Sequence, residues 1–148
     1  MPYKDDLGLM AHLMRRAGFG ATRDELEASL AKGYEEMVEE LLHPEDQPAF
    51  ENDVIHRYIP YFRMGTGMQS FQGYWIYRMI TTNCPLEEKM VLFCHQLFAT
   101  SYAKLTRNPQ MNMQIEMFRR HGMGSFRNLL VEISKDPAMI FWLDNNEN

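Results

Sequence analysis

The chain has 148 residues, the length of one ordinary domain, and we predict a single helical domain over residues 1–148. Its 45% of hydrophobic and 24% of charged residues are typical of a globular protein, and no apolar run approaches the roughly 20 residues that cross a bilayer. The net charge of −5 argues against a general nucleic-acid binder, and two cysteines do not suggest a disulfide scaffold.

Three helices are predicted in the first third of the chain. Residues 6–17 form the first, because apolar residues recur there every three or four positions. Thr22 and Glu25 match the S/T-x-x-E capping box, so a second helix is predicted from this point until Gly33. The segment "YEEMVEELLHP", residues 34–44, is predicted as the third, with acidic residues in its early turns.

Helical signals continue to the carboxyl end. Two helices are predicted over residues 49–59 and 71–82, separated by the glycine-containing loop 63–70. The apolar stretch "PLEEKMVLFCHQLFATSYAKL", which Pro85 opens, is predicted to be a buried helix. Three further helices are predicted: one that runs to Arg120, one capped by Ser125 and a short one capped by Asp136.

No segment alternates apolar and polar residues with the period of two that a half-buried strand shows, so no sheet is predicted. The predicted fold is all-α, an irregular bundle of about eight or nine helices that forms part of a larger helical protein. The 13 methionines are scattered over the apolar faces and are interpreted as core filler of adaptable shape.

Two apolar segments carry expectations about packing. In "RRAGFG", residues 15–20, a helix end is followed by a hinge, and Phe19 is expected to insert into the core. In "PAMIFWL", residues 137–143, the apolar run covers more than one face of a short helix. We therefore expect an exposed patch around Phe141 and Trp142, through which the chain would self-associate.

Four segments, in this order and at suitable spacing, resemble one known family: "HLMRRAGFGAT", "PLEEKMVLFCHQLFATS", "FRRHGMGSFRNLL" and "SKDPAMIFWLDN". Together they are similar to the amino-terminal part of a large bacterial family known as domain of unknown function 1800. The resemblance covers nearly the whole chain and implies a helical architecture. It implies no mechanism, because the family has no established activity.

The chain departs from the family pattern in two places. Family members usually read F-W-H at the centre of the sixth predicted helix, often with a second histidine two residues later. Here the segment is Phe-Cys-His-Gln-Leu, so His95 is kept and the second histidine is absent. Family domains also continue past the "LDN" motif, so a chain ending at Asn148 is expected to be the leading part of a longer protein.

His95 is the candidate catalytic residue. On a continuous helix it shares a largely apolar face with Glu88 and Tyr102, each seven residues away, and it is predicted to be mostly buried. It is either a core histidine bonded to backbone or to a neighbouring helix, or a neutral general base that needs a partner from another helix. No second ligand accompanies it at helical spacing, so no metal site is predicted, and no cofactor is predicted either.

The turn "RRHGMGSFR" is a candidate anion-binding site formed by Arg119, Arg120, Ser125 and Arg127. Two glycines precede a serine-capped helix, whose free N–H groups attract anions. The alternative is a tight turn whose arginines are solvated or internally paired, and Glu116 is spaced for an i,i+4 pair with Arg120.

The uneven distribution of charge along the chain also allows two interpretations. Residues 1–60 carry 6 basic and 13 acidic residues, whereas residues 61–135 carry 9 and 4. Either the two parts attract each other within one fold, or a basic patch attracts an outside anion.

The sequence supports two hypotheses about function. The leading hypothesis is an incomplete piece of a helical bacterial protein that serves as a scaffold or binding module. The alternative is a piece of an enzyme, such as a hydrolase, whose site uses His95, the turn Arg119–Arg127 and residues beyond Asn148. A small anion is the expected partner, with no nucleic acid and no membrane, and the missing signal-peptide pattern predicts a cytoplasmic location.

Overall fold

The structure is a computed structural model that describes residues 2–51, 55, 57–58, 60, 67–105 and 109–147. Within these residues it has eight α-helices and no strand, which confirms an all-α fold with about eight helices. No helix in this part of the chain has both the length and the apolar character needed to cross a membrane. The helices are α1 (Pro2–Ala17), α2 (Arg23–Lys32), α3 (Tyr34–Leu42), α4 (Met68–Thr81), α5 (Pro85–Phe98), α6 (Pro109–His121), α7 (Phe126–Lys135) and α8 (Pro137–Trp142).

Of the helix predicted over residues 49–59, residues 52–54, 56 and 59 lie outside the described residues; residues 49–51 are not helical, whereas residues 55, 57 and 58 are. Residues 63–66 of the loop predicted over residues 63–70 also lie outside the described residues, and residues 68–70 belong to α4, so the loop prediction is wrong there. The other predicted helices are present with small shifts at their ends, except that the helix starting at Pro85 ends earlier than predicted. Short 3₁₀ turns follow α3 at Pro44–Asp46, follow α5 at Tyr102–Lys104, and follow α8 at Asn145–Glu147.

The described residues fall into two compact units. The first holds residues 1–50 and 79–89, and the second holds residues 51–78 and 90–148. The prediction of a single domain over residues 1–148 stays a prediction.

In the first unit, local signals set the helix ends. Thr22 Oγ1 accepts from the Glu25 N–H, while the Glu25 carboxylate accepts from the Thr22 N–H at 2.6 Å, so the predicted capping box is confirmed. Gly33 ends α2 with a φ of 110°, a backbone conformation that residues other than glycine rarely adopt. Met10 and Met37 are buried in this unit.

Phe19 does not insert into the core, so that prediction is wrong. Its side chain is 43% exposed. The Lys89 ammonium lies 5.1 Å from the ring centroid and donates to the Gly18 carbonyl at 2.9 Å. A cation therefore lies over one face of the ring.

The core of the second unit forms where α6, α7 and α8 pack against one another. Phe118 is fully buried, and its ring stacks on Phe98 with centroids 5.7 Å apart. Trp75 and Met139 pack against the margin of this cluster. The buried members are Val91, Cys94, Ile115, Met117, Phe118, Leu129 and Ile133.

The helix that starts at Pro85 is shorter and less buried than predicted. It ends at Phe98 because Ala99 takes a left-handed conformation with φ of 39°, which an α-helix does not continue through. Phe93 and Leu97, at 55% and 52% exposure, lie on an uncovered face of α5. The apolar composition of this stretch therefore led to an overestimate of how much of it is buried.

The short helix α8 is held at both ends. Asp136 caps its first turn as predicted, accepting from the Met139 N–H at 3.0 Å. At the other end, Lys104 donates to the Trp142 carbonyl at 2.9 Å. Phe141 and Trp142 are partly buried, and the exposed apolar residue here is Leu143. Phe141 and Trp142 therefore do not form the exposed patch that was expected around them, and self-association stays a prediction.

Candidate functional site

The second unit contains a pocket of about 210 Å³ beside His95. We call it the His95 pocket. Aromatic and aliphatic side chains form most of its wall, and five uncharged polar side chains, including His95 itself, complete it. The lining residues are Phe71, Gln72, Trp75, His95, Thr100, Ser101, Tyr102, Met111, Asn112 and Ile115.

His95 lies on α5 at the wall of this pocket. Its ring is half-buried. The ring makes an edge-to-face contact with Trp75 on α4, with ring centroids 5.6 Å apart and an angle of 75° between the ring planes. The Nδ1 atom is buried and has no hydrogen-bond partner among the described residues. Burial lowers the pKa of His95, so the imidazole is neutral at neutral pH.

The segment after α5 supplies three hydroxyl-bearing residues to the pocket, Thr100, Ser101 and Tyr102. The left-handed turn at Ala99 redirects the chain, so that Thr100 and Ser101 leave the helix axis and line the pocket. Ser101 Oγ accepts from the Ala103 N–H at 3.3 Å and so caps the following 3₁₀ turn. Tyr102 lies in that turn and does not share a helical face with His95 as predicted, yet it lines the same pocket.

Thr100 also belongs to a buried set of hydrogen bonds that we call the polar triad, formed by Thr100, Gln114 and Asp136. Thr100 Oγ1 donates to Gln114 Oε1, and Gln114 Nε2 donates to Asp136 Oδ1 at 2.7 Å. Their exposures are 6%, 0% and 6%, so water has almost no access to these groups. The triad connects the pocket wall to the cap of α8.

Burial raises the pKa of the Asp136 carboxyl above its usual range. Hydrogen bonds from Met139, Gln114 and Ala138 act in the opposite direction, because they stabilise the ionised form. The carboxylate is therefore held by directed donors and not by a neighbouring cation.

The arginines of the candidate anion turn do not line the His95 pocket. Arg119 forms an ion pair with Glu116 at 2.6 Å, and its side chain is only 8% exposed. Arg120 Nε instead donates to the Glu116 carbonyl at 3.3 Å. The predicted ion pair of Glu116 with Arg120 is therefore wrong, because Arg119, one residue earlier, takes the carboxylate.

The remaining members of the turn are exposed. Ser125 occupies the N-cap position of α7 but makes no side-chain capping bond, and Arg127 is exposed on the first turn. The amides of Gly122 and Gly124 donate to the carbonyls of Phe118 and His121 in the last turn of α6, which leaves fewer N–H groups for a ligand. An anion site here stays a prediction.

The comparisons with known proteins bear on this geometry. The family model described as "Protein of unknown function (DUF1800)" matches residues 12–148, which include the pocket, the polar triad and the turn. The chain belongs to this family. The comparison with curated proteins gives no match, and neither does the comparison with solved structures.

The described residues of this DUF1800 member contain no group of three His, Cys, Asp or Glu side chains placed to hold a metal ion. The polar groups that converge on the pocket are instead hydroxyls, amides and one imidazole. Such groups act by hydrogen bonding.

Gly122 in the turn is required by packing. A Cβ atom at this position would lie 2.5 Å from the Phe118 carbonyl oxygen and 3.5 Å from Cys94 Sγ. At Gly124 the nearest atom to an added Cβ is the His121 carbonyl oxygen at 3.5 Å, an ordinary contact. The first glycine of the motif thus has a structural reason that the second lacks.

Gly122→Ala is expected to lower the free energy of unfolding by about 1–3 kcal/mol, since the backbone oxygen cannot move aside cheaply. Gly124→Ala, the matched control, should change it by less than about 0.5 kcal/mol. Urea unfolding of both variants measures the difference. Equal effects would show that the close contact at Gly122 is not limiting.

The lowered pKa of His95 predicts how stability depends on pH. The unfolded chain binds the His95 proton more tightly than the folded one, so stability rises with pH between the folded and unfolded pKa values. This contribution is fully present above about pH 6.5, the ordinary histidine pKa, and is lost as the pH falls below it. His95→Phe, which keeps a ring but cannot titrate, should remove it.

Urea unfolding of both proteins at several pH values from 8 to about 5 checks this expectation. His43 provides a comparison, because its pKa is shifted in the opposite direction and its contribution to stability should change with pH in the opposite sense. Glu45 raises the pKa of His43 by accepting its hydrogen bond, so that its contribution is present at low pH and is lost as the pH rises through the folded pKa. If wild type and His95→Phe show parallel pH profiles, the imidazole is not desolvated.

Proposed function

We propose that this chain is a binding module for a small uncharged molecule that contains an aromatic ring, held in the His95 pocket. The observation that supports this most directly is the lining. Trp75, Phe71 and Tyr102 surround the pocket, and no described lining residue carries a formal charge when His95 is neutral.

The chemistry of such a wall selects its ligand. Aromatic side chains favour ring partners through edge-to-face and offset stacking. A charged ligand would have to leave water without an opposite charge to pair with, which is costly. The few polar side chains, such as Gln72 and Asn112, can then fix the orientation of a neutral molecule.

The size of the pocket is consistent with one or two fused rings. An engineered cavity of about 150 Å³ in another protein holds benzene. The His95 pocket, at about 210 Å³, has room for a molecule somewhat larger than benzene. Indole is a suitable probe because it is flat, uncharged and bicyclic.

The enzyme alternative has weaker support. A neutral histidine in a pocket is suited to act as a general base. However, the buried Nδ1 atom of His95 has no hydrogen-bond partner among the described residues, so no base–nucleophile pair of the kind that hydrolases use is formed through this atom. Arg119, Arg120 and Arg127 do not line the pocket, so a single site that uses both features lacks support. Binding is therefore the function we propose.

Titration with indole tests the proposal. We expect the methyl signals of Met111 and Ile115, which line the pocket, to shift in ¹³C NMR spectra, while those of Met37 and Leu41 in the first unit stay in place. For a ligand of this size we expect a Kd on the order of 1 mM. Shifts at all four residues would indicate nonspecific binding.

A matched pair of variants localises the binding. Asn112 lines the pocket, and the neighbouring Met113 is 55% exposed and does not. Asn112→Phe should fill the pocket and weaken indole binding at least about tenfold, whereas Met113→Phe should leave it unchanged. Equal binding by the two variants would overturn the proposed function.

The broader expectations remain proposals. These are the cytoplasmic location, the bacterial origin and the anion site at the turn from Arg119 to Arg127.

A further inference from the structure

We propose that Thr100 accepts a hydrogen bond from the ligand in the His95 pocket, so that the ligand carries an N–H or O–H donor beside its ring. This inference rests on the proposed function and adds a chemical requirement to it. It follows from the direction of the hydrogen bonds in the polar triad.

The direction is set at Asp136. Its Oδ1 atom accepts from the Met139 N–H at 3.0 Å and from Gln114 at 2.7 Å. An oxygen that receives a backbone N–H is acting as an acceptor, so the group that Gln114 presents to it has to be the amide NH₂. The Gln114 side chain therefore has a defined orientation, which the two ends of an amide would not otherwise reveal.

This orientation determines the role of Thr100. With its nitrogen on Asp136, Gln114 presents the carbonyl oxygen Oε1 to Thr100. That oxygen only accepts, so the Thr100 hydroxyl has to donate its single proton to it. The lone pairs of Thr100 Oγ1 are all that remain for another partner, and they can only accept.

The position of Thr100 makes this polarity relevant to a ligand. Thr100 lines the His95 pocket, yet it is only 6% exposed, so water reaches its hydroxyl poorly. A ligand without a donor would leave the oxygen further desolvated and unpaired, which is unfavourable. A ligand with a suitably placed N–H or O–H gains that bond. We expect a preference of about tenfold for the donor.

Three probes of nearly equal shape test this. Indole has an N–H, indene has a CH₂ group in its place, and 1-methylindole has the nitrogen but no proton. In the wild-type chain we expect indole to bind about tenfold more tightly than the other two. If indole and indene bind equally, the inference about Thr100 is overturned and the proposed function stands. If neither binds, the proposed function fails and this inference fails with it.

Two variants assign the effect to Thr100. Thr100→Ser keeps the hydroxyl and should keep the ratio of indole to indene affinity. Thr100→Val keeps the shape and should bring the ratio close to one. A ratio unchanged in Thr100→Val would mean that another acceptor, such as Gln72 or Asn112, takes the N–H, and the inference would be wrong.

Thr100→Val also leaves Gln114 Oε1 without its donor and can unfold the chain. A measurement on the wild type avoids this difficulty. In a saturated complex, we expect a nuclear Overhauser effect between the indole N–H proton and the Thr100 methyl group. Its absence, with effects from other protons of the indole ring to Thr100, would overturn the inference.

Discussion

Replacing Phe118 with alanine is expected to lower the free energy of unfolding by about 4 kcal/mol. The side chain has no exposed surface, and its ring stacks on Phe98 at 5.7 Å in the core of the second unit. Removing it leaves a cavity that the surrounding helices cannot fill completely, which adds to the lost transfer free energy. Urea unfolding followed by far-UV circular dichroism measures the change.

Phe126 provides the matched control on the following helix. It is 60% exposed, so Phe126→Ala should change the free energy of unfolding by less than about 0.5 kcal/mol. Losses of similar size at the two positions would mean that Phe126 is covered in solution and that α7 packs differently from the arrangement described above.

Replacing Asp136 with alanine is expected to cost about 2–3 kcal/mol, because it removes the cap of α8 and leaves the Gln114 amide without an acceptor in a buried site. Asp136→Asn keeps an oxygen for both donors. Since burial raises the pKa of Asp136, ionisation is costly in the folded chain, and the neutral amide avoids this cost. Asp136→Asn should therefore be at least as stable as the wild type at neutral pH.

The pH dependence gives an independent check on Asp136. A raised folded pKa means that the folded chain binds the proton more tightly, so the stabilisation is present below the ordinary pKa of about 3.8 and is lost as the pH rises through the folded value. Asp136→Asn should remove this decline in urea unfolding between about pH 4 and neutrality. If Asp136→Asn and Asp136→Ala are equally unstable, the carboxylate makes a contact that an amide cannot replace.

Helix ends were predictable because their signals are local. The capping box of Thr22 and Glu25 spans four residues, and the Asp136 cap with Pro137 at the start of α8 is equally short. In both cases the donor and acceptor are brought together by one turn of helix, so the sequence alone specifies the contact.

The site could be predicted only in part, because its contacts join distant positions. The sequence indicated His95 as unusual, but its ring partner Trp75 lies 20 residues earlier on another helix. Gln114 is separated by 14 residues from Thr100 and by 22 from Asp136. A glutamine in the middle of an amphipathic helix gives no local sign that it is fully buried, and so the polar triad was missed.

The error at Glu116 has a different cause. Both Arg119 and Arg120 are within reach of its carboxylate on a helix, and the spacing rule favours neither strongly. The near-complete burial of the Arg119 side chain decides the choice, since a buried guanidinium needs a charged partner more than an exposed one does. Such a preference depends on tertiary packing, which spacing does not encode.

The absence of formal charge from the described lining of the His95 pocket also affects how a ligand would arrive. Charged sites attract their ligands over distances of about 10 Å and lose this advantage as salt is added. A neutral molecule entering an uncharged pocket experiences no such steering, so its association rate should be nearly independent of ionic strength. Discrimination between ligands then takes place after contact, through differences in how long each one remains bound.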